Sequence, residues 1–205
     1  MNKTLLLAGV AAFLFTTNTN ATEFNPYVGA KIKYIDMSAD ISEDDSFDVD
    51  DKVAGASFSI GASVATEAGA LRAELEYNKN GNNKKSYLVT DGVDDFNAKF
   101  KVETQAIMLN GYYDINTNSK LTPFISAGIG YAKVKTSLYL DGEKQGSIDK
   151  NNFAWQLGFG AGYAVSNNVT IDAGYRYIDY GDFTDDETKV EASAHELYVG
   201  ARYAF

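Results

Sequence analysis

One histidine stands in this chain of 205 residues, His195, and Ser193 and Glu191 lie two and four positions before it. A serine, a histidine and an acid are the parts of a nucleophilic relay. The even spacing puts all three on one side of an extended strand, where residues two apart are separated by about 7 Å. Ser193 and His195 are then too far apart for the direct hydrogen bond that activates a nucleophile, and Glu191 is farther still. A relay would need a partner from another strand or a loop, and nothing in the sequence points to one. Asp48-Val49-Asp50 begins like a calcium loop, but Lys52 stands where the third ligand would be and the turn glycine is missing. Gly128-x-Gly130 and Gly158-x-Gly160-x-Gly162 precede no helix, so they are not phosphate loops. With no cysteine there is no thiolate metal site or disulfide framework. The site expected from these residues is therefore free of metal and cofactor.

A second set of reactive residues is larger and more regular. Lys31, Lys33, Arg72, Lys101, Arg176 and Arg202 alternate with neutral residues, as do Glu74, Glu76, Glu103, Asp172 and Glu196. Six positive and five negative charges nearly cancel. Such a set can face inward and pair, whereas a single buried charge is expensive. The expectation is a lumen charge network.

Those residues need strands to position them. Segments of about ten residues, the length that crosses a membrane as a tilted strand, alternate apolar and polar positions along the chain. Their apolar faces carry Val28, Ala30, Ile32 and Tyr34; Ala56, Phe58, Ile60, Ala62 and Val64; Leu71, Ala73, Leu75 and Tyr77; and Val102, Thr104, Ala106, Met108 and Tyr112. The later four carry Ile125, Ala127, Ile129 and Tyr131; Trp155, Leu157, Phe159, Ala161 and Tyr163; Val169, Ile171, Ala173, Tyr175 and Tyr177; and Leu197, Val199, Ala201, Tyr203 and Phe205. The fourth is the least clean, since Ile107 and Leu109 sit on its other face.

Period-two alternation alone would also suit a soluble barrel with its apolar face inward. Two features decide. The polar faces are rich in glycine and serine, as in Gly55-x-Ser57-x-Ser59-x-Gly61, which suits a narrow lumen and not a solvated surface. Aromatic residues gather at both ends of the apolar faces: Tyr34, Tyr77, Tyr131, Trp155 and Tyr177 at one, Tyr112, Tyr163, Tyr203 and Phe205 at the other. These read as the two interfacial girdles of a membrane barrel. Links at 37–52, 79–99, 136–152 and 179–191 are long, and those at 65–70, 116–120 and 166–168 are short. Seven links in strict alternation mean eight strands. The fold class is thus all-β, an eight-stranded antiparallel transmembrane β-barrel with its long loops outside and short turns in the periplasm.

The start of the chain reads as a targeting segment. Lys3 is followed by an apolar run of 11 residues, Leu5 to Phe15, too short for a membrane helix. Thr19 and Ala21 suit the −3 and −1 positions of a signal-peptidase site. The domains expected are a signal peptide, 1–21, and an outer-membrane β-barrel domain, 22–205, exported to the outer membrane of a Gram-negative cell.

Thr122-Pro123-Phe124-Ile125-Ser126-Ala127-Gly128-Ile129-Gly130-Tyr131 resembles the fifth-strand motif of the opacity-type small outer-membrane β-barrel family. The segments Phe153 to Tyr163 and Val169 to Gly181, with Gly174-Tyr175-Arg176-Tyr177 at the centre, resemble it as well. The chain is similar to an OmpA-like transmembrane barrel that ends at its last strand, so the peptidoglycan-binding activity of longer relatives is not implied. Gly200, Tyr203 and Phe205 match the pattern by which the barrel-assembly machinery recognises its clients, which the resemblance makes a partner. The family includes adhesins and immune-evasion proteins, and other eight-stranded barrels modify lipid A with a histidine, a serine and an acid.

The expected function is an envelope protein without enzymatic activity, with adhesion or surface recognition through four long loops. A lipid A-modifying enzyme and a narrow, low-conductance pore are the alternatives, since an eight-stranded interior is filled by side chains and excludes a wide one. Expected partners are outer-membrane lipids and lipopolysaccharide. A net charge of −10 argues against nucleic acid. The loops hold Asp40, Glu43, Asp44, Asp45, Asp48, Asp50 and Asp51; Asp91, Asp94 and Asp95 with Lys84, Lys85, Tyr87 and Phe96; and Asp182, Asp185, Asp186 and Glu187 with Tyr180 and Phe183. They read either as a solvated, self-repelling surface or as a recognition surface for a basic or cation-bridged host partner.

Overall fold

The computed structural model describes residues 24–41, 51–81, 83–90, 95–140, 143–185 and 188–205. The expected signal segment and the acidic stretch 42–50, with Asp48-Val49-Asp50, lie outside them. The described chain is strand joined by turns: β1 (Phe24–Ile41), β2 (Asp51–Thr66), β3 (Gly69–Asn80), β4 (Asn83–Thr90), β5 (Asp95–Ile115), β6 (Leu121–Leu140), β7 (Glu143–Ala164), β8 (Val169–Asp185) and β9 (Thr188–Ala204).

Eight of these close into a ring. β1 pairs with β2 and with β9, and β3 pairs directly with β5, all antiparallel. A closed sheet has no free edge, which a hydrocarbon solvent requires because it offers backbone groups no hydrogen bonds. β4 stands outside the ring count. It continues the line of β3 along the outer part of β5, from Asn83 opposite Val102 to Thr90 opposite Asp95. At the break between β3 and β4, the Gly81 amide donates to the Ala54 carbonyl at 2.8 Å.

The four long links are shorter than the sequence spacing suggests. β1, β6 and β8 run on to Ile41, Leu140 and Asp185, and β4 lies inside the second link, so the outer ends are extended hairpins. β8 bulges against β9 between Asp179 and Asp182, where Gly181 takes a φ of 78° that only glycine adopts freely.

The short turns are held by side chains. Asn118 has a φ of 54°, and its amide donates to Asn116 Oδ1 at 3.0 Å. Asparagine tolerates that left-handed region and makes such local bonds. Asn168 Nδ2 donates to the Ala204 carbonyl at 2.9 Å, and the Phe205 amide donates to the Pro26 carbonyl at 3.1 Å. Both barrel termini therefore meet on the short-turn rim.

Side chains sort by parity. Exposed Ile32 and Tyr34, Phe58 and Ile60, Ile125 and Ile129, Leu157 and Phe159, and Leu197 and Val199 face outward. β5 corrects the expectation. Met108 is 0% exposed, whereas Ile107 and Leu109 are 51% and 39% exposed. Thr104, Ala106, Met108 and Tyr112 thus face the interior, and the Val102 side chain lies outside the described set. The reason is polar: Thr104, Asn110 and Asp114 share that parity and are buried, and in hydrocarbon each would lack a partner. Tyr112 accordingly leaves the periplasmic girdle and points into the lumen.

Candidate functional site: a charge chain inside an apolar belt

The described interior residues form a chain of alternating charge. Lys33 Nζ lies 3.3 Å from Glu196 Oε1, and Arg176 Nε lies 2.7 Å from Glu196 Oε2. Arg176 Nη1 reaches Glu76 Oε2 at 3.0 Å, and Lys31 Nζ reaches the same oxygen at 3.2 Å. Lys31 ends the chain on Glu74 Oε1 at 2.6 Å. Six charges from β1, β3, β8 and β9 thereby cross the lumen. Register sets one of these pairs, since Arg176 stands opposite Glu196; the others reach across the lumen between strands that are not neighbours or not directly opposite, as Lys31, opposite Ser57 and Gly200, reaches Glu74 and Glu76 of β3.

Neutral groups complete the shell. Asn78 Oδ1 accepts from Lys33 at 2.8 Å and from Arg176 at 2.8 Å. Asn110 Nδ2 donates to Glu76 at 2.8 Å, and Gln156 Nε2 donates to Asn110 at 3.2 Å. Tyr27 and Tyr112 both donate to Glu74, at 3.1 and 3.0 Å. At the outer end Tyr180 donates to Glu196 at 3.4 Å and accepts from Asn80 at 3.2 Å. Nearer the short-turn rim two further pairs close the set: Arg72 with Asp114 at 2.8 Å and Arg202 with Asp172 at 2.5 Å. Arg72 also lies over the Tyr112 ring, 4.1 Å from its centroid. Five cations face five carboxylates among the described residues.

Small residues make room for the rings. A Cβ at Gly61 would sit 2.6 Å from Tyr27, and one at Gly174 would sit 2.5 Å from the Tyr198 hydroxyl. Glu76 Oε1, Asn78 Nδ2 and Gln156 Oε1 are buried without a hydrogen-bond partner among the described residues.

Nine of the residues expected in the lumen meet here: Lys31, Lys33, Arg72, Glu74, Glu76, Asp172, Arg176, Glu196 and Arg202. Glu103 does not. It shares the outward parity of Ile107 and sits half-buried opposite Lys135. At the outer rim a charge reaches the headgroup layer, so the outward frame of β5 tolerates it. The Lys101 side chain lies outside the described set. Tyr180, expected in a loop, is buried, because β8 continues through the bulge. Asp114, Asn78, Asn80, Tyr27 and Tyr198 were missed. Asn78 and Asn80 continue the parity of Arg72, Glu74 and Glu76, and that signal could have found them.

Outside, His195 is tied to its neighbours. Its Nδ1 is hydrogen-bonded to the Tyr175 hydroxyl, and its ring lies 5.3 Å from that of Tyr177. Ser193 stands opposite Asp179, and His195 opposite Asp36 and Tyr177. The Glu191 side chain is outside the described set. Of the expected assembly signal, Phe205 is exposed and packs edge-on against Tyr203 at 5.5 Å. Gly200 lies against Lys31, whose Cγ a Cβ there would approach to 2.6 Å.

A closed ring with charges inside and an apolar belt outside matches known proteins. The chain is 37% identical over 126 residues to the outer membrane protein PagN of Salmonella typhimurium, covering 53% of each. It is 29% identical over 156 residues to the opacity protein opA52 of Neisseria gonorrhoeae, covering 57% of this chain and 62% of that one. The chain thus spans about half to three-fifths of these relatives' lengths. The crystal structure of Neisserial surface protein A superposes with a TM-score of 0.56 at 24% identity, covering 88% of this chain and 97% of that one, which shows a shared fold. Residues 5–205 match the family model described as outer membrane protein beta-barrel domain, and the chain belongs to that outer-membrane barrel family.

Proposed function

We propose that this barrel is a non-enzymatic surface-recognition protein, held rigid by its interior and displaying its outer hairpins to partners outside the cell. The observation that carries this reading is the contrast between the two rims. The described short turns are a few residues long, whereas β1, β5, β6, β7 and β8 run well past the apolar belt. Rigid scaffolds with long loops at one end are where binding residues collect. The opacity-type resemblance, with adhesins among its members, supports the same reading. The acidic residues of these loops favour a basic or cation-bridged partner.

Catalysis finds less support. His195 Nδ1, the nitrogen that an orienting acid holds in a relay, is bonded to Tyr175 instead, and no described contact joins Ser193 to His195. A pore finds less support still, since the Lys33–Glu196–Arg176–Glu76–Lys31–Glu74 chain crosses the lumen. Export through a signal peptide cut after Ala21, and capture by the assembly machinery through Phe205, belong to the same proposal. N-terminal sequencing of the membrane form then returns Thr22.

The test is adhesion of cells expressing the wild-type chain, compared with cells whose four outer hairpins are cut to short turns, at equal surface levels. Loss of most binding to host cells or matrix is expected. Unchanged binding would leave a purely structural envelope barrel.

A further inference from the structure

Near the outer end of the lumen, Lys33 of β1 and Asn80 of β3 meet across the strand that lies between them. Each stands opposite Gly55 of β2, so the three share one row. Gly55 leaves the way open, since a Cβ there would lie 3.1 Å from Asn80 Oδ1 and 2.9 Å from Ile35 Cδ1. Lys33 Nζ donates to Asn80 Oδ1 at 3.1 Å and lies 3.3 Å from Glu196 Oε1. Asn80 Nδ2 donates to the Tyr180 hydroxyl at 3.2 Å, and that hydroxyl donates to the same Glu196 oxygen at 3.4 Å. Four buried side chains thus close a ring of amine, amide, phenol and carboxylate.

Each member has a part in one reaction, the attack of a lysine amine on an asparagine amide. Nζ is at most one bond beyond hydrogen-bond distance from Asn80 Cγ. Glu196 touches Nζ and can take its proton, which frees the lone pair. Tyr180 links that carboxylate to Nδ2, the leaving nitrogen. Asn78 has no such route. Its Oδ1 accepts from Lys33 and from Arg176, both at 2.8 Å, but its Nδ2 has no hydrogen-bond partner among the described residues. Beside the ring, Ile35, Met108, Ile178 and Tyr180 belong to one buried apolar cluster, which keeps water from competing. A pair held in this way gains the advantage of an intramolecular reaction. Asn80 is followed by Gly81, and cyclisation of such a pair needs the glycine nitrogen as nucleophile. Here the Gly81 amide donates to the Ala54 carbonyl at 2.8 Å instead.

We propose that Lys33 and Asn80 join in an intramolecular isopeptide bond, a modification that ties β1 to β3 through the lumen. Glu196 takes one proton from the Lys33 ammonium, and Nζ adds to Asn80 Cγ. Glu196 passes that proton through Tyr180 to Nδ2 and takes a second proton from Nζ. The Cγ–Nδ2 bond breaks, ammonia leaves, and the Nζ–Cγ amide remains. Glu196 ends protonated, so the lumen loses one cation and one anion together. Arg176 keeps Glu76, and Lys31 keeps Glu74. The bond depends on the lumen alone and not on what the outer hairpins recognise.

The test is the intact mass of the full barrel extracted from outer membranes, set against the mass given by its sequenced N-terminus and its sequence. A deficit of one ammonia is expected, with a branched peptide joining Lys33 to Asn80 after proteolysis. K33Q, which removes the nucleophile, and E196Q, which removes the base, are expected to keep the full mass. Y180F, refolded in detergent beside the wild type, is expected to lose ammonia about tenfold more slowly or less readily still, as the relay to the leaving nitrogen is cut. Heat-modifiable gel mobility confirms that each variant is closed. The proposal is overturned if the closed wild-type barrel keeps its full mass. It is overturned equally if ammonia is lost without a branched peptide, which would mark a cyclised asparagine, or if E196Q loses it at the wild-type rate. A branch at Asn78 would overturn the choice of Asn80.

Discussion

The two faces of the same strands answer to different solvents. On β1, Lys31 and Lys33 point inward between outward Ile32 and Tyr34; on β8, Arg176 points inward between outward Tyr175 and Tyr177. A soluble protein would reverse this, with charge in water and aliphatic groups inside. Here the outer face is covered by lipid, so the only place for charge along the belt is the lumen. There it is tolerated because each charge meets an opposite one and further hydrogen bonds. The interior is thus a polar core whose specificity lies in pairing, and the exterior is an apolar surface whose only requirement is to carry no charge.

The largest effect expected from this contrast comes from splitting the interior chain. Arg176 bridges Glu76 and Glu196, so R176M leaves two buried carboxylates short of a cation. Breaking a buried pair costs about 3–5 kcal/mol. R176M should lower the urea midpoint of the refolded barrel by that equivalent, and R176M/E76Q, which leaves Lys33 with Glu196 and Lys31 with Glu74, should recover much of it. A single variant as stable as wild type would mean that water, and not pairing, solvates these groups.

Next is a charge on the opposite face. Leu157 is exposed in the middle of the β7 segment, beside buried Gln156. An arginine at the midplane costs about 2–4 kcal/mol. L157R should fail to insert into liposomes, seen as loss of the faster-migrating unboiled band. Wild-type insertion would reverse the assigned faces.

A smaller effect tests the steric side of the interior. G174A would press a methyl carbon to 2.5 Å from the Tyr198 hydroxyl, and Tyr198 is buried. Overpacking of this kind costs about 1–3 kcal/mol. Pairing it with Y198L should return part of the midpoint shift; no loss in G174A alone would show that the ring has room to move.

The contrast also explains what could be read in the chain. Where one face holds ionisable residues and the other does not, the frame is unambiguous, as with Arg72, Glu74 and Glu76 against Leu71, Ala73 and Leu75. β5 lacks that asymmetry. Ala106, Met108 and Tyr112 lie on one side and Ile107 and Leu109 on the other, so apolarity does not choose. Glu103 suggests the wrong frame, since rim charges face outward without touching hydrocarbon. Once the frame slipped, Asp114 vanished as the partner of Arg72. Tyr180 was hidden differently: Gly181 reads as the start of a loop, and only the bulge shows the strand continuing. Partner choice within the lumen, such as Lys31 with Glu74 and Glu76, depends on which strands sit across the ring, and no local pattern encodes that.

The smallest expected effect removes the same atom from each face. The Tyr112 hydroxyl lies inside, accepting from Lys31 at 3.1 Å and donating to Glu74 at 3.0 Å. The Tyr77 hydroxyl lies outside, donating to Gln105 at the exposed rim. Y112F leaves two charged groups each one hydrogen bond short in a buried place, a loss of about 1–3 kcal/mol. Y77F gives up a bond that water and headgroups replace, about 0.5 kcal/mol or less. Urea midpoints of the two variants should therefore separate, with Y112F the lower. Equal midpoints would mean that the interior solvates its polar groups as readily as the rim does, and the distinction between the two faces would then reduce to the presence or absence of charge.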